Sequence, residues 1–172
     1  MCKYGYGGSA LEIRKATEHD VPCVLDIYAS ARRFMRETGN PNQWAGVYPA
    51  PEDVHNDIEL SRLYVCTEDS EILGVFCYFE GVDPTYLKIY DGQWQSDAPY
   101  SVIHRIAVAE SAHGRGVAAA CFDYAYKNSK NVRIDTHRDN LPMQKALLKN
   151  GFVRCGIIYL SNGDERVAFQ KC

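Results

Sequence analysis

The chain has 172 residues, enough for one domain with a full core and too few for two comfortable ones. Apolar residues supply 46% and charged residues 24%, which excludes a disordered or fibrous chain; a formal net charge of -3 with no block of like charge argues against nucleic acid as the main partner. No stretch approaches the ~20 apolar residues that cross a bilayer, so no membrane partner is expected.

Residues 1–10 lack the apolar core of a signal peptide, and their glycines read as a flexible lead-in to a single domain over 11–172. A strand over 11–15 leads to Thr17, a good N-cap with Asp20 three residues on. Val21, Val24, Leu25, Tyr28 and Met35 then recur at helical spacing, giving an amphipathic helix that runs to about residue 37 and stops at Gly39-Asn40-Pro41. The next connection carries Gln43, Trp44 and Tyr48, and a second helix is expected over 51–60. Strands over 63–67 and 72–79, parted by a short polar spacer, read as a hairpin. Residues 81–99 form a long connection with Tyr86, Tyr90 and Trp94, and loops of that length inside compact domains are more often functional than inert.

The second half changes rhythm. A strand over 100–108, a helix over 116–128 and a strand over 132–135 give a run long enough for a right-handed parallel crossover. A helix over 141–150 and two strands, 152–160 and 165–169, follow, the last pair joined by Ser161-Asn162-Gly163-Asp164. The expected fold is α/β: a mixed, mostly antiparallel sheet with a central parallel crossover, flanked by helices. The seven cysteines are odd in number and scattered, with no Cys-x-x-Cys pair, and most sit in apolar runs. They point to a reduced, metal-free, cytoplasmic protein.

The most informative stretch is His113-Gly114-Arg115-Gly116-Val117-Ala118-Ala119, between a strand and an amphipathic helix. The first amides of a helix have no internal partner and sit at the positive end of its dipole. Gly114 and Gly116 permit positive φ and close approach, so the turn is a phosphate cradle in the physical sense. Gly114-x-Gly116-x-x-Ala119, with Asp135 downstream, also fits the dinucleotide fingerprint, but Ala-Glu-Ser-Ala-His separates Val108 from Gly114 where that fingerprint wants the glycine at once. A glycine turn that merely packs helix on strand is the plain alternative.

From Ile106 to Ala118 the chain resembles the coenzyme A signature of the GCN5-related N-acetyltransferases, GNAT: Gln or Arg, two residues, Gly, one residue, then Gly or Ala. Gly116 and Ala118 fill the last two positions, and His113 departs from the first. Asn140-Leu-Pro-Met-Gln-Lys-Ala-Leu-Leu-Lys149-Asn-Gly151-Phe152 resembles the segment that runs along the other side of the cofactor in that family. The resemblance implies an acyl-CoA N-acyltransferase fold and acetyl-coenzyme A as co-substrate. It also implies direct transfer of the acetyl group to a primary amine of a small molecule or peptide. By the same resemblance, Ile106, Ala107 and Val108 would line the pantetheine arm. The turn His113, Gly114, Arg115, Gly116, Val117, Ala118 and Ala119 would take the pyrophosphate, and Asn140 and Lys149 would flank the cofactor. The Tyr that often supplies the acid in the family is Leu147 here.

For the base, His104 is the first choice: it stands two residues before Ile106, on the same face by strand alternation, and imidazole titrates near neutrality. A half-buried structural histidine fits the same position equally. His137 and Asp135, at the end of the next strand, are the second choice, with capping of the helix that follows as their plain role, and Tyr159 is a distant choice of acid. Trp44, Tyr48, Tyr90 and Trp94 are the expected acceptor walls, against a reading as a small core beneath the loops. Nearby Glu52, Asp53 and Asp57 suit a cationic acceptor, or simply a helix start. Two other functions compete: a coenzyme A-binding sensor or interaction module that has lost catalysis, for which Leu147 speaks, and a thiol-handling protein built on the cysteines. The exposed aromatic loops make a homodimer plausible.

Overall fold

The computed structural model describes residues 10–172; the expected lead-in falls, apart from Ala10, outside the described residues. Thr17 opens the first helical segment as expected: its amide and hydroxyl both donate to Asp20 Oδ2, at 2.7 and 3.1 Å. The carboxylate also accepts two bonds from Arg14 at 2.8 and 2.9 Å, so one side chain ties strand β1 (Glu12–Lys15) to helix α1 (Val21–Glu37). Helix α2 (Pro51–Glu59) and the hairpin β2 (Leu63–Glu68) and β3 (Glu71–Glu80) follow. After the long connection come β4 (Ser101–Val108), α3 (Val117–Ser129), β5 (Val132–Thr136), α4 (Leu141–Lys149), β6 (Val153–Tyr159) and β7 (Glu165–Lys171).

The strands form one sheet in the order β1-β2-β3-β4-β5-β7-β6. Every neighbouring pair is antiparallel except β4–β5, the expected crossover. Apolar side chains alternate between the two faces. Ile103, Ile106, Phe122, Ala125 and Leu147 pack with α3 and α4 on one side. Val24, Tyr28, Val65, Val75 and Ala107 pack with α1 and α2 on the other. Among the described residues no helix is long and apolar enough to cross a membrane.

Two irregularities open this sheet. Parallel pairing between β4 and β5 holds only at Ser101–Val132 and Val102–Arg133, beyond which the strands part. In β4 the register jumps, with His104 opposite Cys77 but Ala107 opposite Val75, so Arg105 and Ile106 together face Phe76. Arg105 takes a positive φ of 49° to make this bulge. The extra residue reverses the alternation, and His104 and Ile106 stand on opposite faces. The expectation that they share one is thereby corrected.

The long connection is anchored rather than free. Tyr90 pairs with Ile157 through two 2.8 Å backbone bonds, and the Gln95 and Ser96 amides donate to the buried Gln170 side chain. Arg133 lies between the rings of Trp94 and Tyr100, 4.1 and 4.0 Å from their centroids. Trp94 and Tyr90 are thus fasteners of the loop, and neither lines a cavity described below, contrary to the expectation that they wall the acceptor.

Candidate active site

Where β4 and β5 part, two cavities meet. The first, of about 500 Å³, runs between the end of α1, the turn before α3 and one face of α4. The second, about 620 Å³, is bounded by the loop after α1, the bulged part of β4, the end of β5 and the β6–β7 turn. Met35, Ile106, Asn140 and Met143 line both and form a throat between them.

The first cavity has a glycine turn at one end and an apolar wall along the rest. Gly114 and Gly116 hold φ of 78° and 81°, and a Cβ at either would meet nothing within 4 Å, so the space before the backbone is open. Ala120 is the first amide to bond back into α3, to the Gly116 carbonyl at 3.0 Å. The Val117, Ala118 and Ala119 amides therefore face outward, at the positive end of the helix. Two expected members of the cradle are used otherwise. The His113 and Arg115 amides donate to the Glu110 and Ala112 carbonyls at 3.3 and 3.2 Å. The Arg115 side chain turns away to pair with Glu68, while the His113 ring rests edge-on against Phe34, 5.0 Å between centroids. Ile106, Ala107 and Val108 line the inner wall, and the exposed Lys149 stands at the rim.

Asn140 is buried at the throat, and its side chain is largely committed. Oδ1 accepts the Met143 amide at 3.2 Å and caps α4, and Nδ2 donates to Gln43 Oε1 at 2.8 Å. The same Gln43 oxygen accepts from Asn40 at 2.7 Å, which locks the loop after α1 onto α4. One Asn140 N–H is left for a ligand. Leu147, which stands where the sequence resemblance leads one to look for an acid, is fully buried in the core and lines neither cavity.

The second cavity is polar. Arg105, set at the bulge, binds Asp57 through Nε and Nη2 at 2.9 and 2.7 Å and donates from Nη1 to the Tyr48 hydroxyl at 3.0 Å. The Tyr28 hydroxyl donates to the Arg105 carbonyl, so ring and ion pair together hold the strained residue in place. Trp44 is buried edge-on against Tyr28, 5.5 Å between centroids, and shows one side to the cavity; Tyr48 is beside it. Both line the second cavity. The acids expected near them do not: Asp57 is spent on Arg105, and Asp53 caps α2 by accepting the Ala50 amide at 2.8 Å.

Different carboxylates take their place. His104 points into this cavity with Nε2 2.6 Å from Asp83 Oδ2. Burial would push the Asp83 carboxyl up, but bonds from His104 and from Thr85 outweigh it and hold the group at about 2. An ionised carboxylate only accepts, so Nε2 carries a proton, and in the neutral imidazole the lone pair is then on Nδ1. Nδ1 looks toward Asp135 Oδ2, 4.0 Å away, and the same oxygen accepts the Tyr86 hydroxyl at 2.7 Å. Asp83 escaped the sequence reading because its partner lies 21 positions away; the only local sign was Asp83-Pro84-Thr85, an Asx turn.

The remaining expected residues lie off the cavities. His137 Nδ1 accepts the Asp139 amide at 3.1 Å and its ring lines neither cavity, which is the capping role; burial, and then Arg166, push its pKa down. Tyr159 packs on Tyr90 outside both.

The model of the acetyltransferase (GNAT) family matches residues 25–152. Solved structures match along nearly the whole chain. An acetyltransferase of the GNAT family from Streptococcus agalactiae is 30% identical with a TM-score of 0.86, covering 95% of this chain and 96% of its own. One from Bacillus cereus is 21% identical with a TM-score of 0.62, covering 94% and 96%. A ribosomal-protein-alanine N-acetyltransferase from Brucella melitensis is 20% identical at the same score, covering 93% and 98%. At the two lower identities the likeness concerns the fold alone. No curated protein sequence matches the chain.

Proposed function

The chain belongs to the acetyltransferase (GNAT) family, and from that premise we propose that it transfers an acetyl group from acetyl-coenzyme A to a primary amine. The observation that carries the reading is the meeting of two unlike cavities at Met35, Ile106, Asn140 and Met143. One has a glycine cradle and an apolar wall, the other a histidine beside carboxylates. The fit to the cofactor rests on the open space before Gly114 and Gly116, which any Cβ would fill. The outward amides of Gly116 to Ala119 would hold the pyrophosphate, Ile106 to Val108 the arm, and Lys149 a phosphate at the rim.

Acetyl-coenzyme A supplies, when bound, an activated thioester carbonyl whose C–S bond breaks as the amine's C–N bond forms. On the protein side, His104 takes a proton from the acceptor ammonium on Nδ1, and Asp83 stabilises the resulting imidazolium. The aromatic edges of Trp44 and Tyr48 confine the acceptor. No throat residue is titratable, so the second proton of the amine reaches the leaving sulfur by way of solvent.

A binding module without turnover is the second reading, favoured by the burial of Leu147 where an acid would serve. Release of free thiol from acetyl-coenzyme A across a panel of amines separates the two. The wild-type rate should depend on pH through the base, and His104→Ala should lose that dependence with about a hundredfold fall in kcat. An unchanged profile removes His104 as the base; tight binding without any thiol release favours the module.

A further inference from the structure

The acceptor-side cavity carries charge that does not balance. Asp83, Asp135 and Asp164 line it together with Arg105 and Arg166. Arg105 is consumed by Asp57 in a bidentate pair, so among the described residues three carboxylates face one loosely held cation. That leaves a net charge of -2 on the walls while His104 is neutral.

Asp135 is the least satisfied of these groups. Its side chain is only 10% exposed, yet it accepts a single hydrogen bond, from the neutral Tyr86 hydroxyl to Oδ2. Its Oδ1 has no hydrogen-bond donor among the described residues. The cation that faces it, Arg166 Nε, and the imidazole Nδ1 of His104 both stop at 4.0 Å. Asp135 is half-buried at the cavity wall, and a carboxylate that accepts one hydrogen bond has room for further donors from that side. The gap between His104 Nδ1 and Asp135 Oδ2 is too wide for a direct hydrogen bond, and it admits one polar atom bonded to both.

An ammonium nitrogen meets both requirements. It gives one N–H to the Asp135 carboxylate and another to the His104 lone pair, which Asp83 has fixed on that side. We propose that Asp135 seats the acceptor's ammonium against His104, and that the acceptor is a cationic amine with no carboxylate beside its nitrogen. A carboxylate there would meet Asp83, Asp135 and Asp164 together, and Arg166, the lining cation not spent on Asp57, already lies between Asp135 and Asp164 at 4.0 and 3.9 Å. This inference rests on the transferase reading for its catalytic meaning. The proton step is closed: the ammonium loses one proton to Nδ1, the imidazole becomes imidazolium, and the amine nitrogen is left with its lone pair.

The test pairs alaninamide, leucinamide and phenylalaninamide with the corresponding free amino acids, which differ by the one negative charge. Two readouts are taken on the full chain: thiol release with acetyl-coenzyme A, and the imidazole NMR resonances of His104 during titration with each probe alone. The amides should show KM values at least about tenfold lower than the acids and should move the His104 resonances, the acids not. Asp135→Asn, which keeps the shape, should raise the amide KM about tenfold with a smaller effect on kcat and silence the NMR response. Tyr86→Phe, which removes only the donor to Asp135, should fall between the two. Acids that serve as well as amides, an Asn variant like wild type, or the absence of any response to the whole amide set would each overturn the seat. If the His104 resonances respond and no thiol is released, the seat stands and the transferase reading fails; if thiol is released with the acids preferred, the transferase stands and the seat fails.

Discussion

Replacing Gly116 by alanine separates the role of this residue in stability from its role in binding. Gly116 is the N-cap of α3 with φ 81° and ψ 12°, and an added Cβ would meet no atom within 4 Å. Crowding therefore contributes nothing, and the stability cost is that of a left-handed backbone in an L residue, about 1 kcal/mol. For a chain of this length that is a fall of about 2–4 °C in Tm. The new methyl group occupies the space through which a phosphate reaches the Gly116 and Val117 amides. Losing one charge-assisted hydrogen bond costs about 1.5–3 kcal/mol, or roughly ten- to a hundredfold in Kd. Calorimetric titration with coenzyme A reads the second effect, and thermal unfolding without ligand reads the first. Gly156→Ala is the control, since its Cβ would lie 2.5 Å from the Tyr90 carbonyl at a φ of 157°, away from both cavities. It should lose more stability than Gly116→Ala and keep its affinity for coenzyme A. Wild-type affinity in Gly116→Ala, or an equal loss in Gly156→Ala, would refute the assignment of the cradle.

Two stability predictions follow from the ion pairs. Asp57→Ala leaves the Arg105 guanidinium with only the Tyr48 hydroxyl and should cost about 3 kcal/mol or more in denaturant unfolding, because a partly buried charge loses its counter-ion; a loss below about 1 kcal/mol would contradict the role of the pair in holding the bulge. Asp20 is held at about 2 against an ordinary value of 3.8, chiefly by the Arg14 hydrogen bonds, with burial opposing. A folded-state pKa below the unfolded one stabilises above the unfolded value and loses that stabilisation as pH falls through the folded value. The stability gap between wild type and Asp20→Asn should therefore be full above about pH 5 and close between about pH 4 and 2. A gap that does not change with pH would contradict it.

How far the site could be read from the sequence follows from the range of the interactions involved. The positive φ of Gly114 and Gly116 was legible because the spacing Gly-x-Gly before a helix marks it, a local property, and the order of strands and helices was legible from periodicity. His104 was legible as a residue and misread as to face. The bulge that turns it falls at Arg105, and nothing about an arginine announces a φ of 49°; the cause is the Asp57 and Tyr28 contacts, 48 and 77 positions away. A ring beneath a loop and a ring on a pocket have the same sequence signature, so the sequence alone does not separate the two roles for Trp94. Its fastening by Arg133 is a long-range fact. Glu52, Asp53 and Asp57 drew attention by clustering in sequence, whereas the carboxylates that line the cavity, Asp83, Asp135 and Asp164, come from three separate segments and meet only in the fold.

A crystal structure of the chain with acetyl-coenzyme A tests the two-cavity site most directly. The pyrophosphate should lie within hydrogen-bonding distance of the Gly116 to Ala119 amides, the arm along Ile106 to Val108, and the acetyl group at the throat between Met35 and Met143, facing the His104 cavity. A cofactor whose pyrophosphate lies elsewhere, or whose acetyl group does not reach the throat, would contradict this site.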